Sequence, residues 1–167
     1  MLEIKDLNVI FNKDTVNEKH ALCDLSLKLE DGDFVTVIGS NGAGKSTLLN
    51  SIAGNIDVDS GRIYNNGRDI TYEKEYKRAR YIGRLYQDPL KGTAPHMTIE
   101  ENLGLAFSRG KRMRLGFGVR KSDRVYFKEV CKKLGLGLET RLTSEVGLLS
   151  GGQRQALTLL MATLETP

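Results

Sequence analysis

Hydrophobic and polar positions alternate at the start of the chain and then change period. Leu2 to Phe11 steps in twos and predicts a strand, and Asn12 to Lys19 is polar and reads as a turn. Ala21-Leu22-Cys23-Asp24-Leu25-Ser26-Leu27-Lys28-Leu29 alternates again, the pattern of a half-buried strand. After the turn Glu30-Asp31-Gly32-Asp33, the apolar β-branched run Asp33 to Ile38 predicts a short buried strand. Leu48 to Ala53 carries apolar residues at helical spacing, with Gly54 as its stop. Ser60-Gly61 and Asn66-Gly67 bracket Arg62-Ile63-Tyr64, and Asn-Gly is a strong hairpin-turn signal. Glu73 to Arg80 predicts a short charged helix, and Tyr81 to Tyr86 a strand ending at Gln87.

The character changes after Asp88-Pro89. Thr98 with Glu101 three residues on is a capping box, followed by apolar residues at Leu103, Leu105, Ala106 and Phe107. A second helical pattern runs from Asp123 to Leu134 and stops at Gly135. A third, Arg154 to Leu164, follows a serine and two glycines. The predicted class is α/β: a β-rich part (1–87), a helical insertion (88–150) and a returning helix (151–167) within one domain. No internal repeat or low-complexity tract interrupts it.

Composition narrows the class further. The chain has 167 residues, 40% hydrophobic and 28% charged, which is neither a disordered nor a membrane-spanning balance. No apolar run approaches the ~18 residues of a transmembrane helix, and Met1-Leu2-Glu3-Ile4-Lys5-Asp6 is too charged for a signal peptide. A cytoplasmic location is expected. The net charge of +4 is uneven, because Arg109 to Lys121 holds six basic residues and no acid. A solvated, glycine-loosened loop is the favoured reading over contact with lipid or nucleic acid. Phe117 stands alone there, so no base-stacking ladder exists and no nucleic-acid partner is expected. Cys23 and Cys131 read as two small buried hydrophobes, and His20 and His96 as isolated structural or surface residues.

The decisive chemistry lies in Gly39-Ser40-Asn41-Gly42-Ala43-Gly44-Lys45-Ser46-Thr47, which matches G-x-x-x-x-G-K-[ST] without departure. The glycines let the backbone curl close to a ligand, and the helix that follows adds its positive dipole end. Lys45 brings a compact charge to the β- and γ-phosphates, Ser46 offers a hydroxyl to Mg²⁺, and Thr47 adds another near the α-phosphate. A second anion site is predicted at Leu149-Ser150-Gly151-Gly152-Gln153, where a serine N-cap and two glycines open a helix. Two phosphate-binding helix starts in one chain suggest a ligand clamped between two copies.

With both motifs in place the chain resembles the ATP-binding cassette (ABC) ATPases, especially the nucleotide-binding subunits of bacterial importers. The resemblance covers essentially the whole chain, and positions 149 to 153 match the family's Leu-Ser-Gly-Gly-Gln signature in full. It implies a RecA-like P-loop NTPase core with N-terminal antiparallel strands and a helical signature subdomain. It implies ATP and Mg²⁺ as cofactors, with Gln87 matching the glutamine that binds Mg²⁺ or the attacking water and reports to the membrane partner. Phe11 fits either the aromatic that stacks on adenine or a core phenylalanine at a strand end. The implied assembly is a head-to-tail dimer in which Ser150, Gly151, Gly152 and Gln153 of one copy reach the nucleotide held by Lys45 of the other. Permease subunits and a solute-binding protein complete it at the inner face of the cell membrane, with Pro95, His96 and Met97 towards the permease.

The chain departs from the family at its end. Members continue past the position of Pro167 into an apolar strand ending in Asp-Glu, the Walker B aspartate and catalytic glutamate, and later a switch histidine. None of these is in the sequence. The expected function is the ATP-binding subunit of an ABC transporter. The alternatives are a soluble ABC ATPase of translation or DNA repair, or a non-catalytic nucleotide-binding fragment. The stretch between Gln87 and Ser150 is too short for a repair-type coiled coil. Phosphoryl transfer needs the attacking water oriented. The 167-residue chain alone is therefore expected to bind nucleotide weakly and hydrolyse it negligibly; robust magnesium-dependent turnover by the purified chain would contradict this.

Overall fold

The structure, a computed structural model, describes residues 1–86, 88–109 and 118–164. Two compact units divide the chain, Met1–Arg78 and Ala79–Pro167.

The first unit is built on an antiparallel sheet in the order β2-β1-β3-β4, with β1 at Leu2–Phe11, β2 at Lys19–Leu29, β3 at Ser60–Asn65 and β4 at Arg68–Asp69. Strand β1 buries Ile4, Leu7 and Val9, together with Leu22 of β2 and Ile63 of β3. The spacing from Ile4 to Leu7 is three, not two, because the ladder slips there and Asp6 takes a φ of 48°. A bulge of this kind inserts a residue and restores the inward face beyond it. The Asn8 side chain ties the irregularity together: its Nδ2 donates to the Asp6 carbonyl and to Asp24 Oδ1, while its Oδ1 accepts from the Asp24 backbone N–H. Asn66 (φ 49°) and Gly67 (φ 78°) turn β3 into β4 with both central residues left-handed, the hairpin that Asn-Gly predicts.

Helix α1, Lys45–Ala53, buries Leu48, Ser51 and Ala53. It stops at Gly54, whose φ of 83° no continuing helix allows. Its C-terminal end is held by Arg78, which is almost fully buried at 2% exposure. The Arg78 guanidinium donates to the carbonyls of Ser51 (2.6 Å) and Ile52 (2.8 Å) on the helix side. On the other side it donates to the carbonyls of Thr71 (2.6 Å) and Glu73 (2.8 Å). A cation at a helix C-terminus satisfies carbonyls that have no intrahelical partner and complements the dipole. The helix expected over Glu73 to Arg80 is one turn, α2 at Glu75–Arg78, and it delivers this side chain.

The second unit is helical. Helices α3 (Ile99–Phe107), α4 (Lys121–Lys133) and α5 (Gly151–Thr163) surround a core of Ile99, Leu103, Phe127, Cys131, Val146 and Leu157, with other buried apolar residues. Phe107 meets Phe127 edge-on at 5.8 Å between centroids. The capping box opens α3 as expected: Thr98 Oγ1 accepts from the Glu101 N–H, and Glu101 Oε2 accepts from the Thr98 N–H at 2.7 Å. Glu100, nearly buried, takes a two-pronged pair of hydrogen bonds from Arg124 of α4 at 2.5 and 2.6 Å. Helix α4 ends at Leu134 with Gly135 in the left-handed region beyond it, as the pattern predicts.

Three expectations are corrected. Asp33–Ile38 and Tyr81–Tyr86 are not strands; neither finds a ladder partner among the described residues, and Phe34 and Ile38 lie more than nine-tenths exposed. An apolar run becomes a strand only when a neighbour supplies the other half of its hydrogen bonds. Cys23 is exposed, on the face of β2 opposite Leu22. Cys131 is buried, and burial pushes its thiol up to about 11, which leaves it unreactive. Of the basic stretch Arg109 to Lys121, residues 110–117 lie outside the described residues.

Replacing Arg78 by methionine removes the guanidinium from the carbonyls of Ile52, Thr71 and Glu73, and from that of Ser51, which keeps the Gly54 N–H. Each unsatisfied buried acceptor costs about 1–3 kcal/mol, so urea unfolding of Arg78→Met is expected to show a loss of roughly 3 kcal/mol or more. A midpoint equal to that of the unmodified protein would show that the cap contributes nothing.

Candidate nucleotide site

Residues 39–44 form an exposed loop that runs directly into α1. Gly42 and Gly44 adopt φ of 83° and 85°, and these two left-handed steps turn the chain back on itself. At Gly44 the requirement for glycine is absolute: an added Cβ would lie 2.5 Å from the Ala21 carbonyl oxygen of β2. The strand therefore presses its backbone against the loop at the point where the helix begins.

Gly44 is also the N-cap of α1, and it caps with no side chain. The N–H groups of Lys45, Ser46 and Thr47 belong to the first turn, where α-helical geometry offers no carbonyl behind them. Lys45 folds over the loop, its Nζ donating to the carbonyls of Gly39 (2.6 Å) and Ser40 (2.7 Å). The Ala43 N–H closes onto the Ser40 carbonyl at 3.2 Å. An uncapped helix N-terminus and an ammonium thus meet at one curl of chain, with the Ser46 and Thr47 hydroxyls on the first turn of α1. This donor set suits a polyphosphate, and the Ser46 hydroxyl suits a hard divalent cation.

The serine-glycine motif lies in the second unit. Ser150 is the N-cap of α5: its Oγ accepts from the Gln153 N–H at 3.3 Å, and Gln153 Oε1 accepts from the Ser150 N–H at 3.2 Å. This reciprocal cap occupies the side chain of Gln153, which also donates Nε2 to the Leu136 carbonyl. Gly151 and Gly152 are exposed, and nothing stands within 4 Å of where a Cβ would be on either. The opening turn of α5 is therefore free for an approaching ligand. Leu85 and Tyr86, which lead towards Gln87, line a hollow of about 460 Å³ with Gly152, Gln155, Ala156 and Leu159.

Phe11 ends β1, partly exposed, opposite Lys19 at the start of β2. Gln87 lies outside the described residues. Two residues that bear on the loop and its helix carry no motif signal. Arg78 anchors the far end of α1, and Lys19 places its Nζ 3.6 Å from where a Cβ on Gly42 would be. Lys19 reads in the sequence as the end of a polar turn, and only the tertiary contact sets it apart.

Solved structures define the class. The chain matches along its whole length the ATP-binding cassette MJ0796 in a dimeric post-hydrolysis state bound to ADP and Pi, with a TM-score of 0.79 and 25% identity over 71% of that chain. A nucleotide-free ATP-binding cassette from an ABC transporter matches 97% of the chain with a TM-score of 0.67 and 27% identity. The fold is that of these P-loop cassettes. The family model described as ABC transporter matches residues 22–167, and the chain belongs to that family. Among curated relatives, the tyrosine transport ATP-binding protein of Clostridioides difficile (strain R20291) is 42% identical over all of the chain and 66% of its own length. The spermidine/putrescine import ATP-binding protein PotA of Fusobacterium nucleatum is 33% identical over 99% of the chain and 41% of its own length. The chain thus spans just under two thirds of the first of these relatives and under half of the second. Among the described residues no helix is long and apolar enough to cross a membrane.

Gly44→Ala drives a methyl group into the Ala21 carbonyl and strains a left-handed residue. It is expected to displace the loop from β2 and to weaken binding of ATP by at least about tenfold in a fluorescence titration, since strain of this kind costs on the order of 1–3 kcal/mol. Unaltered binding would show that the close approach is not needed.

Proposed function

We propose that this protein is the ATP-binding subunit of an ABC transporter of the importer type, and that it hydrolyses ATP to drive movement of a solute across the cytoplasmic membrane. The observation that carries this reading is the left-handed curl at Gly42 and Gly44, which runs into the uncapped start of α1 with the Lys45 ammonium folded over it. ATP is the nucleotide, held with its β- and γ-phosphates against Lys45 and the amides of residues 39–47, and with Mg²⁺ on Ser46 and Gln87. Phe11 stacks on the adenine. The relatives' printed names, tyrosine transport and spermidine/putrescine import, support a transport role, and the dimeric cassette structure supports pairing of two subunits.

In the assembly proposed, Ser150, Gly151, Gly152 and Gln153 of one subunit close over the nucleotide of its head-to-tail partner. The reciprocal Ser150–Gln153 cap supports this by holding the first turn of α5 rigid while leaving its glycines uncovered. Integral permease subunits receive the stroke, a solute-binding protein delivers cargo, and the subunit sits peripherally on the inner face of the membrane. The helical part expected over 88–150 serves as the signature-bearing arm. Hydrolysis is proposed for the whole subunit, since the chain spans only part of its relatives' length.

The test is Lys45→Ala in the full-length subunit. Loss of a charge-assisted contact worth about 1.5–3 kcal/mol is expected to weaken ATP binding roughly 10- to 100-fold while far-ultraviolet circular dichroism stays unchanged. Equal affinity would overturn the site. Co-purification from solubilised membranes then separates the transport reading from a soluble one: integral subunits support it, and ribosomes or DNA in their place contradict it.

A further inference from the structure

We infer that Lys19 is a nucleotide-contacting residue, a second cation that neutralises the polyphosphate from the strand side of the loop. The inference rests on the phosphate-loop reading above and adds to it a residue outside the motif.

The backbone of β2 approaches the loop at Ala21, and the Lys19 side chain carries its ammonium to Gly42. Strand β2 runs beside the loop and touches it twice. The Ala21 carbonyl stands against Gly44, and Lys19, two residues earlier, stands against Gly42, two residues earlier in the loop. The β1–β2 ladder slips by one residue here, since Val9 faces Leu22 while Ile10 faces His20. Ala21 is the inserted residue. Such bulges bend a strand and redirect the side chains beyond them, and this one directs the end of β2 at the loop. Beyond it, Lys19 pairs with Phe11, and directly opposed residues of an antiparallel pair project to the same side of the sheet. The aromatic proposed for the base and the ammonium proposed for the phosphates therefore leave the hairpin together.

Electrostatics give the placement its meaning. Lys19 joins the Lys45 ammonium and the positive end of α1 around one stretch of backbone, an arrangement that an anion relieves. Among the described residues no carboxylate pairs with Lys19; the neighbouring Glu18 is engaged by His20 at 3.1 Å and by the Asp14 N–H at 2.9 Å. Lys19 is exposed, so replacing it removes no core contact.

The experiment titrates Mg-ATP and Mg-ADP against full-length protein carrying Lys19→Met, Lys19→Arg or Lys45→Ala. Removing a unit charge beside a polyphosphate weakens its attraction to the loop. Lys19→Met is thus expected to weaken both nucleotides at least about fivefold, with the thermal midpoint of the nucleotide-free protein unmoved. Lys19→Arg should keep most of the affinity. Wild-type affinity in Lys19→Met, beside a clear loss in Lys45→Ala, would overturn the role of Lys19 alone. A loss in Lys19→Arg as large as in Lys19→Met would overturn the charge argument. Unchanged binding in Lys45→Ala would instead bring down the phosphate-loop reading, and this inference with it.

Discussion

The approach of the Ala21 carbonyl to Gly44 is the constraint on which the site depends. A backbone carbonyl occupies the volume that any side chain at position 44 would need. Glycine at this place lets β2 lie against the loop, lets the chain turn left-handed into α1, and leaves the first helical amides uncovered by any capping side chain. A single packing requirement thus joins the antiparallel sheet to the uncapped N-terminal end of the helix. The other end of α1 is fixed by a different device, the buried Arg78 guanidinium bridging its last carbonyls to those of Thr71 and Glu73. The helix is located at its start by close packing against a main-chain carbonyl and at its end by hydrogen bonds to main-chain carbonyls.

The two helix starts that carry the motifs use opposite solutions to the same problem. Helix α1 leaves its opening amides bare, so a ligand can take them. Helix α5 closes part of its opening turn with the Ser150–Gln153 exchange and keeps only the glycine stretch uncovered. A bare end suits a tightly held polyphosphate. A half-closed, rigid end suits a surface that meets a phosphate presented by another molecule, as the proposed dimer requires.

Much of this was legible in residue order. The alternation of β1 and β2, the Asn66-Gly67 hairpin, the Thr98–Glu101 box, the Gly135 stop and the serine cap of α5 all appear where the pattern places them. The hairpin, the capping boxes and the glycine stop depend on hydrogen bonds or steric rules that span four residues or fewer, so a short window of sequence contains the whole cause, while β1 and β2 are strands because each supplies the other's partner. The glycine–lysine loop is legible for the same reason, since its donors come from consecutive residues.

What escaped residue order depends on partners distant along the chain. Asp33–Ile38 and Tyr81–Tyr86 carry strand-like side chains, but a strand is completed by a neighbour that its own residues do not specify. Arg78 resembles any charged residue of a surface helix until the carbonyls of Ser51 and Ile52 surround it. Lys19 resembles the end of a turn until a bulge at Ala21 brings it to Gly42. The sequence by itself determined the glycine–lysine curl, the serine-capped helix α5 and the family to which the chain belongs, because those are local matters of backbone freedom and spacing. Only the tertiary structure decided which further charges gather at the loop and what holds its helix in place, because those contacts close across long stretches of chain.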